Sequence, residues 1–122
     1  MPNIESQVQD GLLVVRRTAE DDRVRIALVG ELDLANAKTA EAVVLEALAS
    51  DKNVLVDLTG LEFLDSSGVS LLVTALRLRQ CHLTFLPSES FDVCRLLSLT
   101  GLDARMEFVT EEPLEPPALP AG

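Results

Sequence analysis

Asp65, Ser66, Ser67 and Gly68 bring an acid and two hydroxyls together at the point where an apolar run gives way to a helical one. Residues of these types so placed suit two chemistries, nucleophilic hydrolysis or acceptance of a phosphate by a serine. Hydrolysis wants Gly-x-Ser-x-Gly at a strand-to-helix elbow with a histidine base in reach. Asp65-Ser66-Ser67-Gly68 does not match that spacing, and His82, the only histidine, falls at the start of a later strand. Phosphorylation asks less, namely a hydroxyl at the end of a sheet on a segment that can enter a kinase cleft. Ser66 or Ser67 is expected at or near the N-cap of the following helix, where a side-chain oxygen accepts a free backbone N–H. Gly68 permits close backbone approach, and Asp65 suits the positive end of a helix dipole. A plain helix cap would be satisfied by the same residues, so the surrounding elements have to decide.

The run from Asn53 to Thr59 is short, rich in branched apolar residues and bounded by Gly60, as a buried strand should be. The spacing predicts a helix over 67–80, with Ser70, Thr74 and Arg77 at i, i+4 and i+7 forming one wet stripe on an apolar cylinder. Upstream, Gly11 to Arg17 and Arg23 to Gly30 flank Glu20-Asp21-Asp22 and predict an antiparallel hairpin. Leu34 to Ala49 reads as a helix capped by Asp33, its buried face carrying Ala40, Val43, Val44, Ala47 and Leu48. Downstream come a strand near His82 to Leu86, a turn at Pro87, and a helix from Ser88 or Ser90 to Thr100 closed by Gly101. A last short strand is expected at Glu107 to Val109.

Strands alternating with helices predict an α/β fold, with a mixed, mostly parallel sheet of about five strands, an N-terminal edge hairpin and helices packed mainly on one side. Residues 1–10 are expected to lead into a single domain over 11–109. Residues 110–122 hold four of the six prolines and three glutamates, and are expected to be a flexible acidic tail.

With 48% hydrophobic residues in 122, the chain can bury one core. Four Phe and no Trp or Tyr leave no stacking platform for bases. A net charge of −10 argues against direct contact with nucleic acid, which needs clustered Lys and Arg. There is no phosphate-binding loop or Gly-x-Gly-x-x-Gly, so no bound nucleotide or other cofactor is expected. Cys81 and Cys94 do not make a zinc site and are read as small buried apolar side chains in a reducing compartment. Without a signal sequence or membrane-length run, a cytoplasmic protein is expected, with a monomer favoured.

Three segments in order, Val29-Gly30-Glu31-Leu32-Asp33, Asp65-Ser66-Ser67-Gly68 and Ser98-Leu99-Thr100-Gly101-Leu102, resemble a STAS domain, the fold of bacterial anti-sigma factor antagonists. The resemblance runs from about Gly11 to Val109. It implies a regulator with no enzyme activity, metal or cofactor of its own. It also implies phosphorylation of the serine directly after the aspartate, which is Ser66 here, with Ser67 as second choice. The implied partner is an anti-sigma factor that is also an ATP-dependent serine kinase, bound by the unphosphorylated form so that a sigma factor is released. Phosphorylation ends that complex and a metal-dependent serine phosphatase restores it.

Asp65, Ser67 and Gly68, with Glu31 and Asp33 and the stripe Ser70, Thr74 and Arg77, are the candidates for the docking surface. Glu31 and Asp33 would serve equally to end a strand and cap a helix, and the stripe would serve equally as solvated surface. STAS-like domains also act as subunits of lipid or anion transport assemblies and of stress-sensing complexes. A small-ligand or nucleotide sensor is a further alternative, which predicts measurable binding by the isolated domain.

Overall fold

The computed structural model describes residues 3–111 and 117–119. Its centre is β3 (Arg23–Leu32), an apolar run buried along nearly all of its length. β2 (Leu13–Ala19) pairs antiparallel with one edge of β3, and β1 (Asn3–Asp10) pairs antiparallel with β2. On the other edge β4 (Asn53–Asp57) runs parallel to β3, followed by β6 (Leu83–Leu86) parallel to β4. The order is β1-β2-β3-β4-β6, and the short β5 (Leu61–Leu64) pairs parallel with the last residues of β3.

Three helices, α1 (Ala37–Leu48), α2 (Ser66–Leu78) and α3 (Phe91–Leu99), share one core with one face of this sheet. Val15, Ile26, Val56 and Phe85 from the strands meet Val44, Leu72 and Leu97 from the helices there. The expected α/β architecture with helices on one side is what forms. Its sheet has six strands rather than about five.

The differences from the sequence reading have physical causes. Asn3–Asp10, read only as a leading segment, belongs to the sheet as β1. Its side chains are exposed on both faces, so it carries no apolar alternation to read. The hairpin of β2 and β3 is present, but β3 is central and the N-terminal edge is β1. The strand expected over 53–59 stops at Asp57, and β5 starts afresh after the turn at Gly60. α1 begins at Ala37, not Leu34, with Asn36 rather than Asp33 at the N-cap. The strand expected at 107–109 reduces to a single parallel bridge between Phe108 and Phe85.

The sheet face opposite the helices is also buried at its centre, where Arg25, Ala27, Leu55 and Asp57 lie. Arg25 donates Nε to Glu20 at 2.8 Å, Nη1 to Asp57 at 3.0 Å and Nη2 to Glu111 at 2.9 Å. Arg23 donates Nε to Glu20 at 2.6 Å and Nη1 to Glu111 at 3.0 Å. Part of the expected flexible tail is therefore held, since Glu111 is ion-paired and Pro117 is buried beside Val29 and Gly60. The rest of that expectation, at 112–116 and 120–122, lies outside the described residues.

The hydrogen bond from Arg23 holds the Glu111 carboxyl below its ordinary range, more than burial raises it. A depressed carboxylate contributes stability that is complete above its unfolded value and is lost as pH falls through its folded value. Wild-type protein should thus lose more of its urea midpoint between about pH 7 and about pH 3 than Glu111→Gln does. Equal losses in the two proteins would show that Glu111 gives the fold nothing.

Candidate functional site

Parallel pairing of β3 with β5 sets Glu31 beside Phe63 and Leu32 beside Leu64. The register shifts between Gly30 and Glu31, and Gly30 makes this possible with φ of 104°, a backbone conformation that side-chain-bearing residues rarely adopt. The two strands end together, so Asp33 and Asp65, far apart in sequence, leave the sheet as neighbours. The Asp65 amide donates to the Leu32 carbonyl at 3.2 Å across the gap.

Asp65 is the N-cap of α2, in extended conformation, and Ser66 and Ser67, expected at or near the cap, take the first two helical positions after it. Its Oδ1 accepts from the backbone N–H of Ser67 at 2.8 Å and of Gly68 at 3.3 Å. Its Oδ2 accepts from the N–H of Leu34 at 3.1 Å. One carboxylate therefore ties the start of α2 to the loop between β3 and α1.

Ser66, the first helical residue, is exposed, and its hydroxyl has no partner among the described residues. Ser67 is half-buried. Gly68 is buried, and a Cβ there would clash with Leu64 and come within 3.0 Å of the Leu32 side chain. The missing side chain lets the first turn of α2 sit directly on the ends of β3 and β5.

The loop of residues 33–36 is saturated with hydrogen bonds. Asp33 Oδ1 accepts from the Ala35 N–H at 3.0 Å, and the Asp33 carbonyl accepts from Asn36 at 3.2 Å and Ala37 at 2.9 Å. Asn36 is buried, accepts from the Asp33 N–H at 2.9 Å and donates Nδ2 to the carbonyls of Glu31 at 2.9 Å and Asp10 at 3.3 Å. Asp33 thus fixes a turn instead of capping α1. The sequence places Leu34 and Asn36 only within the helix expected over 34–49 and not at the site, because a buried Asn and an exposed Leu both invert the usual pattern.

Glu31, Asp33 and Asp65 are half-buried, and Asp33 and Asp65 follow the adjoining ends of β3 and β5, so this end of the sheet is acidic. Along α2, Ser70 and Arg77 are exposed and Thr74 is half-buried, which sets the expected stripe on the helix that Ser66 opens. No group of three or more His, Cys, Asp or Glu among the described residues is placed to hold a metal ion. Cys94 is exposed, not buried as expected, and donates Sγ to the Ser88 carbonyl at 3.2 Å. Cys81 is partly buried, and that burial pushes its thiol up. His82 is a surface residue beside Glu107, with Nε2 at 2.9 Å from the carboxylate.

A small α/β domain with a mixed sheet and helices on one side is the architecture that known proteins share with this one. Residues 15–110 match the family model described as "Mlab, STAS domain", and the chain belongs to the STAS family. No curated protein matches it at a significant level.

An anti-sigma factor antagonist from Mycobacterium paratuberculosis superposes with a TM-score of 0.73 at 21% identity, over 79% of this chain and 84% of that one. The anti-sigma factor antagonist SpoIIAA in its unphosphorylated form gives 0.66 at 25% identity, over 80% of this chain and 89% of its own. The Bacillus cell fate determinant SpoIIAA in the phosphorylated form gives 0.60 at 24%, over 80% and 92%. Among the described residues no helix is long and apolar enough to cross a membrane.

Proposed function

We propose that this protein is an anti-sigma factor antagonist that works by partner switching. Unphosphorylated, it binds an anti-sigma factor that is also a serine kinase, and so frees a sigma factor. That kinase phosphorylates Ser66, which ends the complex, and a serine phosphatase reverses the step. ATP and metal belong to the partners, and the setting is the cytoplasm.

The observation that carries this reading is the exposed, unpartnered hydroxyl of Ser66, held one residue beyond the carboxylate that joins two loops. Exposure also favours Ser66 over the half-buried Ser67, a choice that residue types left open. The likeness to SpoIIAA, a protein whose unphosphorylated and phosphorylated forms are both known, supports the same chemistry. The histidine, His82, lies just before β6 beside Glu107, which supports reading Ser66 as the substrate of another protein's kinase and not as the nucleophile of a hydrolase.

Docking falls to the acidic rim of Glu31, Asp33 and Asp65, to Ser67, and to Ser70, Thr74 and Arg77 along α2. Gly68 acts from beneath, by letting the helix start close to the sheet. The family match is equally compatible with one other reading, a STAS subunit of a transport or stress-sensing assembly in which Ser66 is never modified.

Intact-mass and fragment-ion analysis of the protein from its own cells, in growth and under stress, separates the two. A single phosphate on Ser66, varying with condition and absent from Ser66→Ala, is the expected result. A chain unmodified in every condition would move the assignment to such an assembly.

A further inference from the structure

A lone exposed leucine is ordinary on a protein surface, since apolar atoms make up much of any exterior. Leu34 is different in how it is held. Its residue is 79% exposed, more than any other large hydrophobic among the described residues. Flexibility does not explain this, because the backbone N–H groups of Asp33, Leu34, Ala35, Asn36 and Ala37 all have partners. The loop is built to hold that side chain in water.

The hold on Leu34 is also the hold on Ser66. Asp65 accepts the Leu34 N–H with one carboxylate oxygen and the Ser67 N–H with the other, and Ser66 lies in the chain between Asp65 and Ser67, so one carboxylate ties the backbone at the leucine to the backbone at the serine. Asn36, buried below, fixes the loop to the ends of β1 and β3 through Asp10 and Glu31. The backbone that carries the leucine and the serine needs no ordering when a partner arrives, which lowers the cost of burying an exposed apolar side chain there.

We propose that Leu34 is the apolar anchor by which the kinase recognises this chain and aligns Ser66 for phosphorylation. The inference rests on the reading of Ser66 as a kinase substrate and adds the residue that gives that reaction its specificity. The partner surface it requires is an apolar pocket with basic groups at its rim, since the leucine follows Asp33 directly and its N–H is held by the Asp65 carboxylate. A leucine inserted into such a pocket loses most of its contact with water, and truncating it should cost about tenfold to a hundredfold in recognition.

The test uses the full chain, returned to an extract of its own cells with ATP, with phosphate on Ser66 followed by intact mass over time. Leu34→Ala should lower the initial rate at least about tenfold, and Leu34→Met, which keeps bulk and apolarity, should stay within about twofold. Circular dichroism and urea midpoints should be unchanged, because the side chain packs against little of its own domain. If wild type is phosphorylated and Leu34→Ala keeps pace, the anchor is wrong while the Ser66 reading stands. If wild type takes up no phosphate, the Ser66 reading falls and the anchor falls with it.

Discussion

Replacing Arg25 with methionine should lower the free energy of unfolding by about 3–5 kcal/mol, roughly a fifth or more of what a domain of this size has to lose. The side chain of Arg25 is 4% exposed and that of Asp57 is 6% exposed, so the pair lies in the interior of the sheet. Asp57 is satisfied on one oxygen by the N–H and hydroxyl of Thr59, and on the other by Arg25. Methionine fills a similar volume but leaves that second oxygen buried and unpaired, along with the Glu20 oxygen that Arg25 Nε serves, while both oxygens of Glu111 keep Arg23. The cost is therefore the stranded charge and not the lost attraction. Arg25→Met combined with Asp57→Leu should recover part of the loss, because removing both partners of a buried pair is often nearly neutral. Equilibrium urea unfolding measures both, and an Arg25→Met protein within about 1 kcal/mol of wild type would refute the account.

That network also marks where the sequence could not be read. Arg23 and Arg25 alternate with Val24 and Ile26, which reads as a half-buried strand with a solvated face. The opposite face is instead occupied by charges that pair with one another, with Glu111 drawn from a segment whose composition looks disordered. Long-range ion pairs leave no local signal. β1 escaped for a related reason, since an edge strand with both faces exposed has no periodicity. The elements that were legible are those whose apolar residues are buried against the helices. β3, α1, α2 and α3 all show the spacing their burial demands.

At the site, Asp65 to Gly68 stood out because acids, hydroxyls and a glycine at a strand-to-helix change are uncommon together. Their roles were harder to read. Asp, Ser and Thr are nearly equal as N-caps, so residue type could not say that Asp65 caps and Ser66 is left free. The tie to Leu34 depends on the register between β3 and β5, which is fixed by a bulge at Gly30 and by a turn at Gly60. Gly30-Glu31-Leu32-Asp33 was visible as a motif. Its meaning as the second half of the same site needed the strand pairing.

Phosphate on Ser66 should abolish partner binding by about a hundredfold or more while leaving the domain folded, with Tm shifted by no more than about 4–8 °C. The Ser66 hydroxyl bonds to nothing among the described residues, so modifying it breaks no internal contact. The helix N-terminus does favour an anion, but Asp65 already fills two of its N–H groups, those of Ser67 and Gly68. The added charge of about −1.5 to −2 is therefore left beside the Asp65 carboxylate instead of being neutralised. A partner selected for an acidic, apolar rim would have to bury that dianion with little to pair it, which costs far more than a surface salt bridge returns. Ser66→Asp carries about half the charge and should weaken binding less than the phosphate does. Calorimetric melting of the phosphorylated chain, beside its retention by the kinase that modified it, reads both halves of the expectation. Loss of helical circular dichroism would place the switch in unfolding, and undiminished retention would remove the switch from Ser66 altogether.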